Sequence, residues 1–335
     1  MSKRYGIVYM GSKEKILHLI KYLLERHYDD TYFIDLFAGG FSVSSYTLQK
    51  SKMKVIANDL NKYVIGLYNE ILDGGENLDK EKYDWVSRER FEDVRDNPDN
   101  YPDWYVGYVL NVWSFGCNQK DYLYAKDMQD NKKAMHDAIV FSNTDELYRL
   151  LNGLIIPQNI LDIDYKKHKK KRTSVMEYIK RHIGEENEDP RYGHLEHLVQ
   201  TEHLSAVSSL IPYSKRLELH NKDWRELYES LPEETLSKAV IYCDPPYEDT
   251  KQYQVGKSFN YEEFWQWFRT CPYPVYVSSY KAPDDIEPLN FAYKAQLLDN
   301  GHKGDDKPKK IVKENLYFNG KGNPEPTMED LLFGT

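Results

Sequence analysis

The sequence predicts an α/β fold whose two halves are separated by a mostly helical insertion. Three observations predict it: short apolar runs ending in a glycine turn or an acid, helix-period segments between them, and a charged, aromatic-studded middle without strand and helix alternation. Ile16, Leu19, Ile20, Leu23 and Leu24 fall at i, i+3, i+4, i+7 and i+8, which predicts a helix with one buried face. The loop Tyr9-Met10-Gly11-Ser12-Lys13 leads into it, with Ser12 expected as N-cap. Tyr32 to Phe37 predicts a strand that runs into Ala38-Gly39-Gly40, and a helix is expected from about Ser42 to Gln49. Lys54 to Ala57 predicts a second strand, closed by Asn58-Asp59-Leu60-Asn61. Strand, glycine turn, helix and strand with a terminal acid form the opening of a Rossmann-like unit.

Regular patterning stops at about Leu72 and returns near Leu217. Ala239 to Cys243 then reads as a strand running into Asp244, and Pro274 to Ser279 as another. Phe291 to Leu298 and Ile311 to Phe318 predict two last strands around the loop 301–310. Residues 314–320 resemble a protease-cleavage sequence, but their apolar pattern suits a final strand. The expected division is one α/β domain from 1–75 and 215–335, with 76–214 inserted.

Composition narrows the class. With 335 residues the chain has ample material for a core, and 40% hydrophobic against 30% charged residues without a long apolar run predicts a soluble protein. The start carries charge but no apolar h-region, so export is not expected. Three cysteines, Cys117, Cys243 and Cys271, at no C-x-x-C spacing, argue against a disulfide framework or zinc site and suit the cytoplasm. His136, His194 and His220 lack partners at ligand spacing, so no metal is expected. A net charge of -9 requires that any polyanion binding come from local basic patches.

The chemistry concentrates at two places. Gly39 and Gly40 allow close backbone approach after a strand, and Asp59, 24 residues after Asp35, can take two ribose hydroxyls on its two oxygens. Asp244-Pro245-Pro246-Tyr247 directly follows a buried strand, at the carboxyl edge where open α/β sheets bind ligands. Neither proline offers an N–H, so the Pro245 carbonyl is available to a ligand. An aromatic amine is a poor nucleophile because its lone pair is delocalised into the ring. A carboxylate and a carbonyl that hold both its N–H groups favour a pyramidal nitrogen, and Tyr247 offers a face for an extruded base.

These residues and their order resemble the Dam-type, alpha-group DNA adenine methyltransferases, over roughly 5–72 and 217–320. The resemblance implies a Rossmann-like S-adenosylmethionine-dependent methyltransferase fold with an inserted, mostly α-helical target-recognition domain. It implies that Tyr9 and Lys13 of the first loop contact S-adenosylmethionine. Asp35, Phe37 and Gly39 look like part of the family's glycine motif, Asp59 looks like its ribose-binding acid, and Asp223 and Trp224 are similar to the pair that borders the cofactor adenine. Asp244 stands where cofactor and target base meet. Phe41 departs from the pattern, occupying the place of the motif's last glycine. Relatives acting on cytosine amines, RNA adenine or glutamine amides carry Ser or Asn before Pro-Pro, so Asp244 favours DNA adenine. A catalytically silent regulator is the alternative that Phe41 encourages.

The insertion lies where this family keeps DNA recognition. Its basic run, Lys166 to Arg172, and within it Lys169, Lys170, Lys171 and Arg172, is expected to neutralise phosphates of double-stranded DNA. Asn111, Trp113, Ser114, Phe115, Asn118 and Gln119 are candidates for reading or replacing bases, although helix packing explains Trp113 and Phe115 as well. The expected setting is the cytoplasm of a bacterial or phage-infected cell, with a cognate restriction endonuclease as candidate partner, no membrane, and a monomeric or weakly dimeric state.

Overall fold

The computed structural model describes residues 4–9, 11–27, 30–166, 170–183, 195–246, 259–296 and 311–322. The chain divides into two compact units, Met1–Gly74 with Leu204–Thr335, and Gly75–His203.

The first unit is built on seven strands: β1 Tyr32–Asp35, β2 Lys54–Asn58, β3 Leu217–His220, β4 Ala239–Cys243, β5 Val275–Ser279, β6 Pro288–Gln296 and β7 Ile311–Phe318. They form one sheet in the order β3-β2-β1-β4-β5-β7-β6. The strands β1 to β5 pair in parallel, while β7 is antiparallel to both β5 and β6. Every residue of β4 and β5 is buried, as expected where helices cover both faces of a parallel sheet. The helices are α1 Leu17–Arg26, α2 Ser42–Lys50 and α3 Lys62–Leu72 in the first half. On one face Ile34, Ile56, Ile241, Val275 and Val277 pack with Trp224, Leu227, Phe264 and Phe268.

Register fixes the site. Asp35 lies opposite Ala57 of β2 and Tyr242 of β4, so the segments after Asp35, Asn58 and Cys243 leave the sheet at the same edge. The strand order reverses at β1, and the crevice outside such a switch point is where doubly wound sheets bind ligands.

The predicted first helix starts late. A 3-10 turn, Glu14–Ile16, precedes α1, and no side chain caps either element. Ser12 is therefore not the cap; the Lys13 N–H donates instead to Ser42 Oγ at 3.1 Å, tying the loop to the start of α2. The strand expected from Phe291 begins earlier, at Pro288.

The second unit contains α4 Glu76–Glu81, α5 Arg88–Asp96, α6 Asp103–Val112, α7 Gln129–Val140, α8 Asp145–Leu150, α9 Gln158–Leu161 and α10 Lys170–Ile183. The division from the first unit falls inside α11 Glu196–Ser208. The first unit continues with α12 Trp224–Ser230, α13 Glu233–Leu236 and α14 Tyr261–Thr270. Among the described residues, β structure in the second unit is confined to one antiparallel bridge between Ser114 and Tyr122. Trp113, Tyr108, Phe91 and Met135 are wholly buried there. No helix among the described residues is long and apolar enough to cross a membrane.

Candidate active site

The glycine turn after β1 is held by the chain itself. Ile7 N–H donates to the Gly40 carbonyl at 3.1 Å. The Tyr68 hydroxyl donates to that carbonyl at 2.9 Å and accepts from Ile7 N–H at 3.2 Å. A Cβ at Gly40 would stand 2.5 Å from Tyr9 Cβ, so glycine is needed there for the N-terminal loop to lie against the turn. Phe41 occupies the left-handed region, φ 60 and ψ 24, a conformation natural to the glycine it replaces. Its ring turns inward, fully buried and stacked on Tyr68 with centroids 4.0 Å apart. The departure from the motif therefore leaves the backbone path of a glycine in place.

Asp59 closes the other side. Gly39 N–H donates to its Oδ2 and Asn61 N–H to its Oδ1, both at 2.8 Å. A carboxylate with about four lone-pair sites keeps acceptor capacity on each oxygen after those two bonds. Asn58, which sequence reasoning passed over, anchors this corner: its Nδ2 donates to the carbonyls of Leu36 and Lys222, and its Oδ1 accepts from Lys222 N–H. Nothing in the sequence separates that asparagine from an ordinary strand-end residue.

Asp35 is buried, with Oδ2 accepting from the Ser44 hydroxyl at 2.6 Å. Its Oδ1 has no hydrogen-bond partner among the described residues. Burial pushes this carboxyl up to about 7; the Ser44 hydrogen bond opposes that rise, and the charges of Asp244 and Asp59 add to it. A buried carboxylate with an unused acceptor and two anionic neighbours is a place for a cation.

Asp244 lies just past β4 and is held at both oxygens. Lys13 Nζ stands 2.8 Å from Oδ2, and the Ser278 hydroxyl donates to Oδ1 at 3.2 Å. Ser278 is backed by the Tyr242 hydroxyl at 2.8 Å, buried on the neighbouring strand. Lys13 also lies 3.2 Å from Glu314 Oε1 and donates to the Gly11 carbonyl at 2.9 Å. Burial alone would lower the Lys13 ammonium, but the Asp244 and Glu314 carboxylates outweigh it and hold it above the ordinary lysine range. Pro245 is buried and Pro246 exposed; Tyr247 lies outside the described residues.

The Asp223 and Trp224 pair stands at the start of α12. Trp224 is a core residue, packed on Phe37, Phe264 and Trp267. Asp223 accepts from Arg225 N–H as the cap of α12, and both its oxygens bind the Arg225 guanidinium, at 2.8 and 3.0 Å. Phe37 is half-buried in the same aromatic cluster. These two rings lie 6.3 Å apart, centroid to centroid, in one aromatic cluster.

The basic run needs a correction. Lys171 is buried, with Nζ 2.5 Å from Ser142 Oγ, and Arg172 pairs with Glu202 at 3.3 Å. They are committed inside the second unit because successive residues of a helix turn by about 100°, so consecutive lysines cannot share one exposed face. Lys170 is exposed; Lys169 lies outside the described residues.

The loop after α6 is a second candidate. Gln119 Nε2 donates to Asn111 Oδ1 at 3.0 Å, Ser114 Oγ accepts from Gln119 N–H, and Asn118 Oδ1 accepts from the N–H groups of Lys120 and Asp121. Those polar groups brace the loop, and Trp113 is core, whereas Phe115 remains 47% exposed. Gly116, Cys117 and Gln119 all have positive φ, so the loop is held in a conformation that its internal bonds stabilise.

A glycine turn after β1, an acid after β2 and Asp-Pro-Pro after β4 on this sheet define the class: a Rossmann-like, S-adenosylmethionine-dependent methyltransferase. Residues 9–159 match the family model of D12 class N6 adenine-specific DNA methyltransferases. No curated protein matched the chain. The match takes in Tyr9, Lys13, the glycine turn and Asp59, and ends before Asp244. Among the described residues, no group of three or more His, Cys, Asp or Glu is placed to hold a metal ion.

Proposed function

We propose that Asp244 and Pro245 hold the exocyclic N6 amine of an adenine extruded from duplex DNA while the cofactor sits over Asp35, Gly39 and Asp59. The single observation that carries the reading is Asp244 at the end of β4, with one oxygen bound by Ser278 and the other by Lys13. Such fixed partners prepare an acceptor before the substrate arrives, and the reorganisation is then not needed during reaction. The orphaned Asp35 Oδ1 suits the cationic part of S-adenosylmethionine, and the free lone pairs of Asp59 suit a ribose diol. When bound, that cofactor supplies a sulfonium methyl, whose carbon–sulfur bond breaks with its electron pair left on sulfur as the carbon–nitrogen bond forms. Asp244 orients the amine and takes the proton it sheds. Tyr247 stacks on the extruded base.

The second unit contacts DNA in this reading. Phe115, presented on a braced loop, is the side chain we place against base steps, where apolar wedges unstack DNA. Lys170, Lys180 and Arg181 are the exposed cations of α10 for phosphate contact. The enzyme works in the cytoplasm of a bacterial or phage-infected cell as a monomer or weak dimer, beside a restriction endonuclease that shares its target.

Transfer of a labelled methyl group to unmethylated duplex DNA, with nucleoside analysis of the product, tests the reading. N6-methyladenine is expected, lost in Asp244→Ala. A product of N4-methylcytosine overturns the acceptor, and binding without incorporation supports a silent protein. The feature that favoured a silent protein, Phe41, keeps the glycine backbone conformation.

A further inference from the structure

We propose that Glu314 is a positioning residue of the transfer site, which shares the Lys13 ammonium so that Asp244 is held in place without being neutralised. The inference rests on the assignment of Asp244 to the amine. Three elements converge on that carboxylate: Lys13 from the N-terminal loop, Ser278 from β5, and, through Lys13, Glu314 from β7. The β5 and β7 register places Ser278 opposite Leu316 and Ser279 opposite Asn315, so Glu314 follows on the edge that carries Asp244.

Charge makes the case. Lys13 and Glu314 side chains are 6% and 9% exposed, and Asp244 is 20% exposed. Surrounding one buried ammonium with two carboxylates leaves a formal charge of -1, an arrangement more costly to bury than a simple pair. A simple Lys13 and Asp244 pair would cancel the charge that Asp244 offers to a reacting amine, on whose nitrogen positive charge grows during transfer. Glu314 draws the same ammonium from the other side. Three oxygens, of Asp244, Glu314 and Gly11, lie within 3.2 Å of Nζ, which fixes the lysine head as well as its charge.

The experiment compares Glu314→Gln and Glu314→Asp with the intact chain, measuring kcat and KM on unmethylated duplex DNA, cofactor affinity by calorimetry, and thermal unfolding. Glu314→Gln is expected to lower kcat roughly 10–100-fold, as loss of a partner behind a reacting group typically does. KM for DNA should stay unchanged, and Glu314→Asp should recover much of kcat. A folded Glu314→Gln protein with the kcat of the parent overturns the inference, as does an equal loss in kcat and in folded fraction. Should Glu314→Gln fail to fold, Glu314→Met takes its place: a kcat equal to the parent's overturns the proposal, and a reduced kcat with unchanged KM supports it. Asp244→Asn run in parallel separates the two levels, because an active Asp244→Asn protein refutes the assignment of Asp244 itself, whereas an inactive one beside a fully active Glu314→Gln refutes only the role of Glu314.

Discussion

Lys13 and Asp244 face each other across 2.8 Å, Nζ to Oδ2, although 231 positions separate them in the chain. Their pairing joins the N-terminal loop to the end of β4, so removing either partner has a different consequence. Asp244→Asn leaves Lys13 with Glu314 and Gly11, and the fold should persist with little change in Tm. Methyl transfer should fall by roughly 10²–10³-fold or more, the loss typical when one preorganised group at a reacting atom is removed. Lys13→Met instead removes the cation between the buried Glu314 and the half-buried Asp244 carboxylates and should destabilise the first unit by about 3–5 kcal/mol. Denaturant melts of both variants check the contrast; equal stabilities would refute it.

The place proposed for Asp35 beneath the cofactor predicts that binding depends on pH. Its folded value, about 7, lies above the usual carboxylate range, so the folded chain holds more protons than the unfolded chain between that range and pH 7. Stability of the cofactor-free protein therefore falls as pH rises through this window, by up to roughly 1.4 kcal/mol per pH unit from this group. Asp35→Asn removes the dependence and should be the more stable protein at pH 8. A cationic ligand favours the ionised form, so cofactor affinity of the parent should fall as pH drops below about 7, while Asp35→Asn should bind weakly throughout. Calorimetric titration at pH 6 and 8 decides, and equal affinities for the parent would sink the assignment.

How much of this was legible in the sequence follows from where each signal lies. The ends of β1, β2 and β4 were legible because an apolar run stops at a glycine turn or an acid, and Asp35, Asp59 and Asp244 stand at those stops. Glu314 was not, since it belongs to no motif and meets Lys13 only through the antiparallel pairing of β7. The basic run was legible as charge but not as surface: helix geometry turns Lys171 inward beside exposed Lys170. Trp224 was legible as a motif residue by type, while its packing on Phe264 was not.

Phe41 gives a test in which restoring the family residue should do harm. Phe41→Gly relieves roughly 1–2 kcal/mol of left-handed strain. It also deletes a fully buried ring stacked on Tyr68, and removing a buried Phe costs about 3–5 kcal/mol. A net loss of about 1–4 kcal/mol is expected from those two terms. Phe41→Ala, which keeps the strain and loses the ring, should be less stable still. If Phe41→Gly melted above the parent, the inward stack would be of no consequence.

In the second unit His197 predicts acid lability. The ring is buried, stacked on Trp113 with centroids 4.2 Å apart, with Nδ1 2.6 Å from the Tyr124 hydroxyl and Nε2 without a partner among the described residues. Burial, with the charges of neighbouring His136, Lys132 and Arg172, holds its protonation well below the ordinary histidine range. The unfolded chain then binds the extra proton first, so stability should fall as pH drops below about 6.5, by up to roughly 1.4 kcal/mol per unit. His197→Gln should flatten that slope, and a melt that is unchanged between pH 7 and 5 in the parent would refute the mechanism.

The exposed face of α10 makes the last prediction, and it separates two lysines adjacent in sequence. Replacing Lys170, Lys180 and Arg181 with Gln should weaken DNA binding uniformly across sequences, because phosphate contacts carry no base information. The slope of log affinity against log salt should shrink by about 0.9 for each phosphate contact removed. Lys171→Met should leave that slope unchanged, since its ammonium is spent on Ser142 within the unit, and a buried charge replaced by an apolar chain of similar length is often tolerated. Fluorescence anisotropy across a salt series measures both. An unchanged slope in the triple variant would move DNA binding off this helix, and a reduced slope in Lys171→Met would mean that the lysine leaves its buried position when DNA binds.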